Sequence, residues 1–313
     1  MSALPPAIFL MGPTASGKTN AAVYLKQHLS VELISVDSAL VFQDMNIGTA
    51  KPDQATLSTA PHFLIDIIPP TSAYSAANFR EDALRLMREI TARGNVPVLV
   101  GGTMLYFKSL LSGLSGLPEA DAEIRAQIDA EAAQIGWPQM HAKLASIDPE
   151  TAARLQPNDM QRIQRALEVY AISGETMTQL YAKQSAQTFP YRVLKLALIP
   201  SDRSVLHARI ATRFQQMLKD GLVDEVRTLL ASYPSLTMES TSMRCVGYRQ
   251  VLEYMQGQYP LEELCDRGIF ATRQLAKRQL TWLRGMNDTV ELDCLDLALN
   301  NLVLQVVKGF QQI

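Results

Sequence analysis

The chain has 313 residues, 47% of them apolar and 19% charged, which suits one large or two modest folded cores and excludes a disordered chain. With 29 Lys and Arg against 31 Asp and Glu the net charge is -2, so a broadly cationic protein is excluded and any nucleic-acid binding must come from local clusters. The three cysteines, Cys245, Cys265 and Cys294, include no C-x-x-C pair, which argues against a disulfide framework or zinc module and fits a reducing cytosol.

Ala7 to Met11 is a short apolar run that reads as a buried strand, and Thr19 to Leu29 carries Ala22, Val23, Leu25 and Leu29 at helical spacing. Between them lies Gly12-Pro13-Thr14-Ala15-Ser16-Gly17-Lys18-Thr19, which fills every fixed position of the phosphate-binding pattern G-x-x-x-x-G-K-[ST]. The glycines permit dihedrals that let successive N–H groups and a helix N-terminus converge on phosphate oxygens. Lys18 adds a point charge, and the Thr19 hydroxyl is the candidate ligand for a Mg2+ ion shared with the phosphates. No basic segment or small-residue cleavage site precedes the first apolar run, and no later run has the eighteen or so apolar residues of a membrane span. A cytoplasmic protein is therefore expected.

Glu32 to Val36 reads as a second strand that delivers Asp37 to the ligand edge of a parallel sheet, with Ser38 opening a loop. A carboxylate there could bind magnesium or take a proton from a substrate near the phosphates, although Asp-Ser is also ordinary turn chemistry. The segment from Asn46 to Pro52 is a Gly- and Pro-punctuated loop. Phe63 to Ile68 reads as a further strand; Phe79, Ala83, Leu86, Met87 and Ile90 form one face of a crossover helix, with Ser75 as N-cap and Gly94 as terminator. Val96 to Val100 is the next strand. It runs into Gly101-Gly102-Thr103, where a nucleotide hydrolase would more often carry a second carboxylate. The glycines are either room for a bulky partner beside the Thr103 hydroxyl or a plain turn before the helix Met104 to Leu111.

From Pro118 to Gln187 the β-branched runs vanish and Ala, Glu, Gln and Arg dominate, the composition of a helical insertion. Asn158-Asp159 is placed to cap a helix with Ile163, Leu167 and Tyr170 on one side and Gln161 and Arg165 on the other, Arg162 at the flank. That polar face serves either solvent or RNA. Strand residues resume at Val193 to Ile199. In the next helix Arg209 and Arg213 stand four apart; one could meet a diphosphate, and solvation is the plainer reading. Past a loop from Pro234 to Arg244, Arg267, Arg273, Lys277, Arg278 and Arg284 fall on one helical arc opposite Ile269, Leu275, Ala276, Leu280 and Leu283, with Trp282 bordering both. Such a cationic face suits a phosphate backbone. The whole predicts an α/β fold: a P-loop NTPase-like parallel sheet flanked by helices, formed by 1–117 and 188–313, with an inserted all-helical subdomain at 118–187.

The phosphate loop, Asp37-Ser38-Ala39-Leu40, Ile47-Gly48-Thr49-Ala50-Lys51-Pro52, Gly101-Gly102-Thr103, Asn158-Asp159 with Gln161-Arg162 and Arg165, Arg244-Cys245-Val246-Gly247-Tyr248 and Gln274-Leu275-Ala276-Lys277-Arg278-Gln279 occur in the order seen in tRNA dimethylallyltransferases. Over almost its whole length the chain resembles the bacterial members, also called tRNA isopentenyltransferases. The resemblance implies Mg2+-dependent transfer of a dimethylallyl group from dimethylallyl diphosphate to N6 of the adenosine immediately 3′ of the tRNA anticodon, by a monomer without membrane contact. It implies that Gly12 to Thr19 hold the diphosphate, that Asp37 meets the adenine amine, that Thr103 lies beside the reacting atoms and that Arg213 contacts the diphosphate. RNA contacts would come from Asp37, Ser38, Ala39, Leu40, Thr103, Arg125, Gln161, Arg162, Ile163, Gln164 and Arg165, then from Ser242, Met243, Arg244, Cys245, Val246 and Gly247, and from Leu275, Ala276, Lys277, Arg278, Gln279, Leu280, Thr281 and Trp282. Leu40 stands where many members have Gln, and Asn46 where Asp is frequent; altered loop packing rather than lost activity is expected. Two other readings fit parts of the pattern. A P-loop small-molecule kinase leaves the cationic helix unexplained, and a non-catalytic RNA-binding protein leaves the phosphate loop idle.

Overall fold

The computed structural model describes residues 4–113, 117–183 and 189–312. Six strands, β1 (Pro6–Met11), β2 (Val31–Val36), β3 (His62–Phe63), β4 (Val96–Gly101), β5 (Arg192–Ile199) and β6 (Thr289–Asp293), form one sheet in the order β3-β2-β4-β1-β5-β6. Every pairing is parallel, with Ile8 opposite Val98 and Leu194, and Val36 opposite Gly101. The helices that serve this sheet are α1 (Lys18–His28), α2 (Gln54–Thr59), α3 (Ala76–Ala92) and α4 (Met104–Ser112). Five further helices occupy the middle of the chain: α5 (Ala122–Ile135), α6 (Trp137–Ile147), α7 (Pro149–Ala153), α8 (Met160–Ser173) and α9 (Met177–Lys183). The last five are α10 (Arg203–Lys219), α11 (Leu222–Ser232), α12 (Tyr248–Met255), α13 (Leu261–Arg284) and α14 (Leu299–Gln311).

The chain divides into two compact units, Met1–Leu111 with Phe189–Ile313 and Ser112–Thr188. The expected junction at 187–188 lies outside the described residues. In the larger unit both faces of the sheet are covered, as a parallel sheet requires, and the central strands read as continuous apolar runs for that reason. Phe9, Ile34 and Leu99 pack with Phe79, Phe107 and Leu283 on one face, while Ile8, Leu33 and Val98 pack with Leu25 and Val303 on the other. A third cluster joins Val41, Phe42 and Met45 to Phe214, Val226, Tyr248 and Ile269. The smaller unit has its own core, built around Met140, Leu144, Ile163 and Leu167.

Some expectations fail for local reasons. The strand expected over 63–68 is only two residues long, because Leu64 and Asp66 adopt positive φ of 65° and 56° and break the extended run; what survives is an isolated bridge between Phe42 and Ile68. Asp159 occupies the N-cap of α8 but makes no side-chain cap bond, and its carboxylate pairs with Arg162 at 2.7 Å instead. Ser75 does cap α3, in a reciprocal capping box with Asn78. Among the described residues no helix is long and apolar enough to cross a membrane.

Candidate active site

The loop between β1 and α1 is strained in the way a phosphate cradle requires. Ala15 has φ 63° and Gly17 has φ 84°, left-handed values separated by one residue, the kind of alternation from which backbone anion nests are built. Lys18 Nζ donates to the Pro13 carbonyl at 2.6 Å and stays beside the loop. The Ser16 hydroxyl is buried and has no hydrogen-bond partner among the described residues, a polar atom left over at the floor of the loop.

Thr14 to Thr19 line a pocket of about 840 Å³ in the larger unit, together with Asp37 to Leu40, Thr103 and Arg213. The C-terminal ends of β1, β2 and β4 bring the first three groups there, which is where an open parallel sheet offers its ligand crevice. Asp37 Oδ1 accepts the Ala39 N–H at 2.9 Å, and Thr103 Oγ1 accepts the Ser38 N–H at 3.0 Å, so the two loops are stitched into one wall. Arg213 enters from α10, with its Nη2 3.5 Å from the Ala50 carbonyl. Further lining comes from Arg244, Cys245 and Val246 and from Leu275, Arg278, Gln279 and Trp282. Leu40, Ile210, Phe214 and Met217 add apolar surface.

The charges in this pocket are set by burial. Desolvation pushes the Lys18 ammonium down to about 8; Asp37 opposes that shift and Arg213 adds to it. Burial likewise lowers the Arg213 guanidinium below its usual value, again opposed by Asp37. Burial, with Asp37, pushes the Cys245 thiol up to about 12, so it stays a thiol and not a nucleophile.

The two glycines at the end of β4 are required by the chain itself, and both also line the pocket. A Cβ on Gly101 would lie 2.0 Å from the Val36 carbonyl oxygen, and one on Gly102 would lie 2.3 Å from Gln279 Nε2. That amide donates to the Gly102 carbonyl at 3.0 Å, while its oxygen accepts the Thr14 N–H at 2.8 Å. Gln279 is thus a clamp between α13, the phosphate loop and the β4 turn.

The cations of α13 do not form one uniform face. Arg267 is committed to Glu263 at 2.7 Å and to the Tyr259 ring at 4.2 Å, and Arg273 has its Nε buried. Lys277, Arg278 and Arg284 are exposed, as are Thr281 and Trp282, and Lys108 stands 5.6 Å from the Trp282 ring centre. Leu275 turns toward the pocket rather than the core, whereas Ala276 and Leu280 are buried. Ser242 and Met243 are also buried, with Ser242 Oγ donating to the Pro70 carbonyl at 2.6 Å, so of the Ser242 to Gly247 stretch only Arg244, Cys245 and Val246 reach the pocket. Gly12, Pro13 and Gly247 shape the backbone without lining it.

Arg125, Gln161, Arg162, Ile163, Gln164 and Arg165 belong to the helical unit. There Ile163 is core, Gln164 donates to Asp129 at 2.6 Å, and Arg125 and Arg165 both bind the fully buried Glu168, at 2.8 and 2.6 Å. Arg165 is therefore not on the free polar face that spacing suggested. Pocket residues that sequence reasoning left without a role include Ser35, Thr49, Ala50, His62 and Tyr74. The Ile47 to Pro52 motif was the available signal for two of them.

A parallel sheet with a glycine-rich phosphate loop, a strand-end carboxylate and buried cations in one crevice defines a P-loop-type group-transfer enzyme. The IPP transferase family model matches residues 40–286. The tRNA dimethylallyltransferase of Methylobacillus flagellatus is 66% identical over 98% of this chain and 97% of its own length. Among solved structures, the tRNA isopentenylpyrophosphate transferase of Bacillus halodurans is 34% identical with a TM-score of 0.71, covering 98% of this chain and 96% of that one. A eukaryotic dimethylallyltransferase acting on tRNA is 26% identical with a TM-score of 0.84, covering 98% and 80%. The chain belongs to the tRNA dimethylallyltransferase family, a family of prenyltransferases.

Proposed function

We propose that this protein transfers a dimethylallyl group from dimethylallyl diphosphate to N6 of the adenosine immediately 3′ of the anticodon in tRNA. One observation carries the reading: a single pocket joins a phosphate loop, the Asp37 carboxylate and an apolar wall of Leu40, Ile210, Phe214 and Met217. The loop and cations suit the diphosphate, the apolar wall suits a five-carbon allylic chain, and Asp37 stands where an incoming amine can be met.

Adenine N6 is a weak nucleophile, so the rate must come from alignment and from stabilising the departing diphosphate. As N6 bonds to the allylic carbon, the carbon–oxygen bond to diphosphate breaks and the proton on N6 passes to Asp37. Lys18, Arg213 and the loop N–H groups face the charge that grows on the leaving oxygens. Thr103 holds the Ser38 backbone beside Asp37 and offers its hydroxyl there. To enter such a pocket the adenosine must leave its stack, at a cost of a few kcal/mol offset by contacts to the surrounding RNA.

A magnesium ion fits the residues present. Among the described residues no group of three or more His, Cys, Asp or Glu could cage a metal, whereas Thr19 and Asp37 both line the pocket, the sparse protein share magnesium takes when phosphate oxygens and water complete its shell. Bound there, it would supply charge neutralisation on the diphosphate. Exposed Lys277, Arg278 and Trp282 supply cations and an aromatic surface for RNA. A monomeric, cytoplasmic enzyme is part of the same proposal.

The test is incubation with tRNA and labelled dimethylallyl diphosphate, followed by nuclease digestion and mass analysis. A single adenosine should gain one dimethylallyl group at N6. Label transfer from ATP instead, or tRNA binding without any mass gain, overturns the reading.

A further inference from the structure

Glu225, on α11, is not part of the pocket lining, yet its carboxylate accepts hydrogen bonds from four donors. Oε2 takes the backbone N–H of Asn46 at 3.0 Å and of Ile47 at 2.8 Å, while Oε1 takes the N–H of Gly48 at 3.2 Å and the Tyr248 hydroxyl at 2.6 Å. An ionised carboxylate alone among side chains offers acceptor sites for four donors at once, and bonds to a charged acceptor are about twice as strong as neutral ones. Three consecutive amides of one loop are thereby fixed from a separate helix.

Packing reinforces the same point. The Tyr248 ring is fully buried against Gly48, where a Cβ would lie 2.5 Å from a ring carbon. At its far end the loop is held by Lys51, which pairs with Asp66 and donates to the Phe42 carbonyl at 3.1 Å. Between these anchors Gly48, Thr49 and Ala50 line the pocket, and Ala50 presents its carbonyl to Arg213. Whatever sets the loop therefore sets the surroundings of the buried guanidinium.

We propose that Glu225, with Tyr248, is a positioning residue for the diphosphate half of the reaction: it holds the Gly48 to Ala50 wall so that Arg213 stays aimed into the pocket. This rests on reading that pocket as the donor site. It separates the donor from the RNA, because Glu225 reaches the loop beside Arg213 and touches neither Asp37 nor the exposed cations of α13.

The experiment is steady-state kinetics with each substrate varied in turn, on the full chain, for wild type, Glu225→Gln and Tyr248→Phe, with thermal unfolding measured alongside. Glu225→Gln keeps the shape but turns an NH2 toward two of the four donors. It should raise the KM for dimethylallyl diphosphate about tenfold while the KM for tRNA stays within about twofold. Tyr248→Phe removes one donor and should raise the donor KM by about threefold in the same selective way. A Glu225→Gln donor KM equal to wild type, or equal losses for both substrates, overturns the proposal. If Glu225→Gln fails to fold, Tyr248→Phe decides by the same criterion. Wild type that adds no mass to tRNA would sink the donor-site reading itself, whereas active wild type with indifferent variants would sink only the role of Glu225.

Discussion

Gln279 and Thr14 are joined by a 2.8 Å hydrogen bond from the loop N–H to the side-chain amide oxygen, across 265 residues of sequence. The helix that carries the exposed cations thus also holds the phosphate loop. Gln279→Ala would free a loop N–H and the Gly102 carbonyl together. Losing such partners costs about 1–3 kcal/mol, so kcat/KM for the donor should fall about 5- to 150-fold, as read from initial rates at saturating tRNA. Gln279→Glu keeps the acceptor but loses the donor to Gly102, and an intermediate loss is expected.

On the proposed mechanism Asp37 meets the amine, so Asp37→Ala removes that group while leaving the exposed cations of α13 in place. Transfer should drop below detection while tRNA affinity, measured by filter binding, changes less than about threefold, since a general base contributes about 10²- to 10⁴-fold. Turnover at the wild-type rate would remove Asp37 from the mechanism.

Lys18 gives a pH dependence of known sign. Its ammonium, lowered to about 8 by burial, is lost in the free protein as pH rises through that value, so kcat/KM for the donor should decline above about pH 8. The turnover number should hold to higher pH, because bound diphosphate favours the charged form. Stability moves the other way. From about 8 up to the ordinary lysine value of 10.5 the unfolded chain binds the proton better than the folded one, so unfolding free energy contributed by this group rises with pH over that window. Lys18→Met should lack both effects in a pH–rate profile and in urea titrations.

Lys277 and Arg278 are exposed and close in space to no acid that pairs with them among the described residues. Replacing both with Ala should weaken tRNA binding and reduce the slope of log affinity against log salt by about 1 to 2. An unchanged slope would show that neither side chain meets the backbone.

In the helical unit Glu168 is fully buried between Arg125 and Arg165. Burial opposes its charge, but the hydrogen bonds from the two arginines outweigh that and hold its carboxyl below the usual range. Its stabilisation is therefore present above the ordinary glutamate value and lost as pH falls through the depressed one. Glu168→Ala strands two guanidinium groups, partly screened by solvent, and should cost about 2–3 kcal/mol in urea unfolding followed by circular dichroism.

Much of this molecule follows from short stretches of chain because the forces there are local. The Gly12 to Thr19 loop, the Ser75 cap and the apolar strands β1, β2 and β4 declare themselves through backbone freedom, capping and burial on both faces, each readable over ten residues or fewer. The strand β6 does not. Thr289 to Asp293 is an exposed edge with no apolar run, and only its pairing with β5 makes it a strand.

The same division holds for the site. Spacing alone named Lys18, Thr19 and Asp37, since each is attached to a strand end or loop whose position the sheet dictates. It assigned Arg165 to a free face and left Gln279 and Glu225 without their roles as clamps. Arg165 pairs with Glu168 only three residues on, but it is packing that buries that carboxylate and brings Arg125 to it; Thr14 and the Asn46 to Gly48 amides are likewise brought to Gln279 and Glu225 by packing, and a hydrogen bond between distant residues leaves no periodic trace in the chain. Local physical chemistry in the sequence determined which groups stand as candidates for the reaction, and long-range packing in the tertiary structure decided what holds them in place.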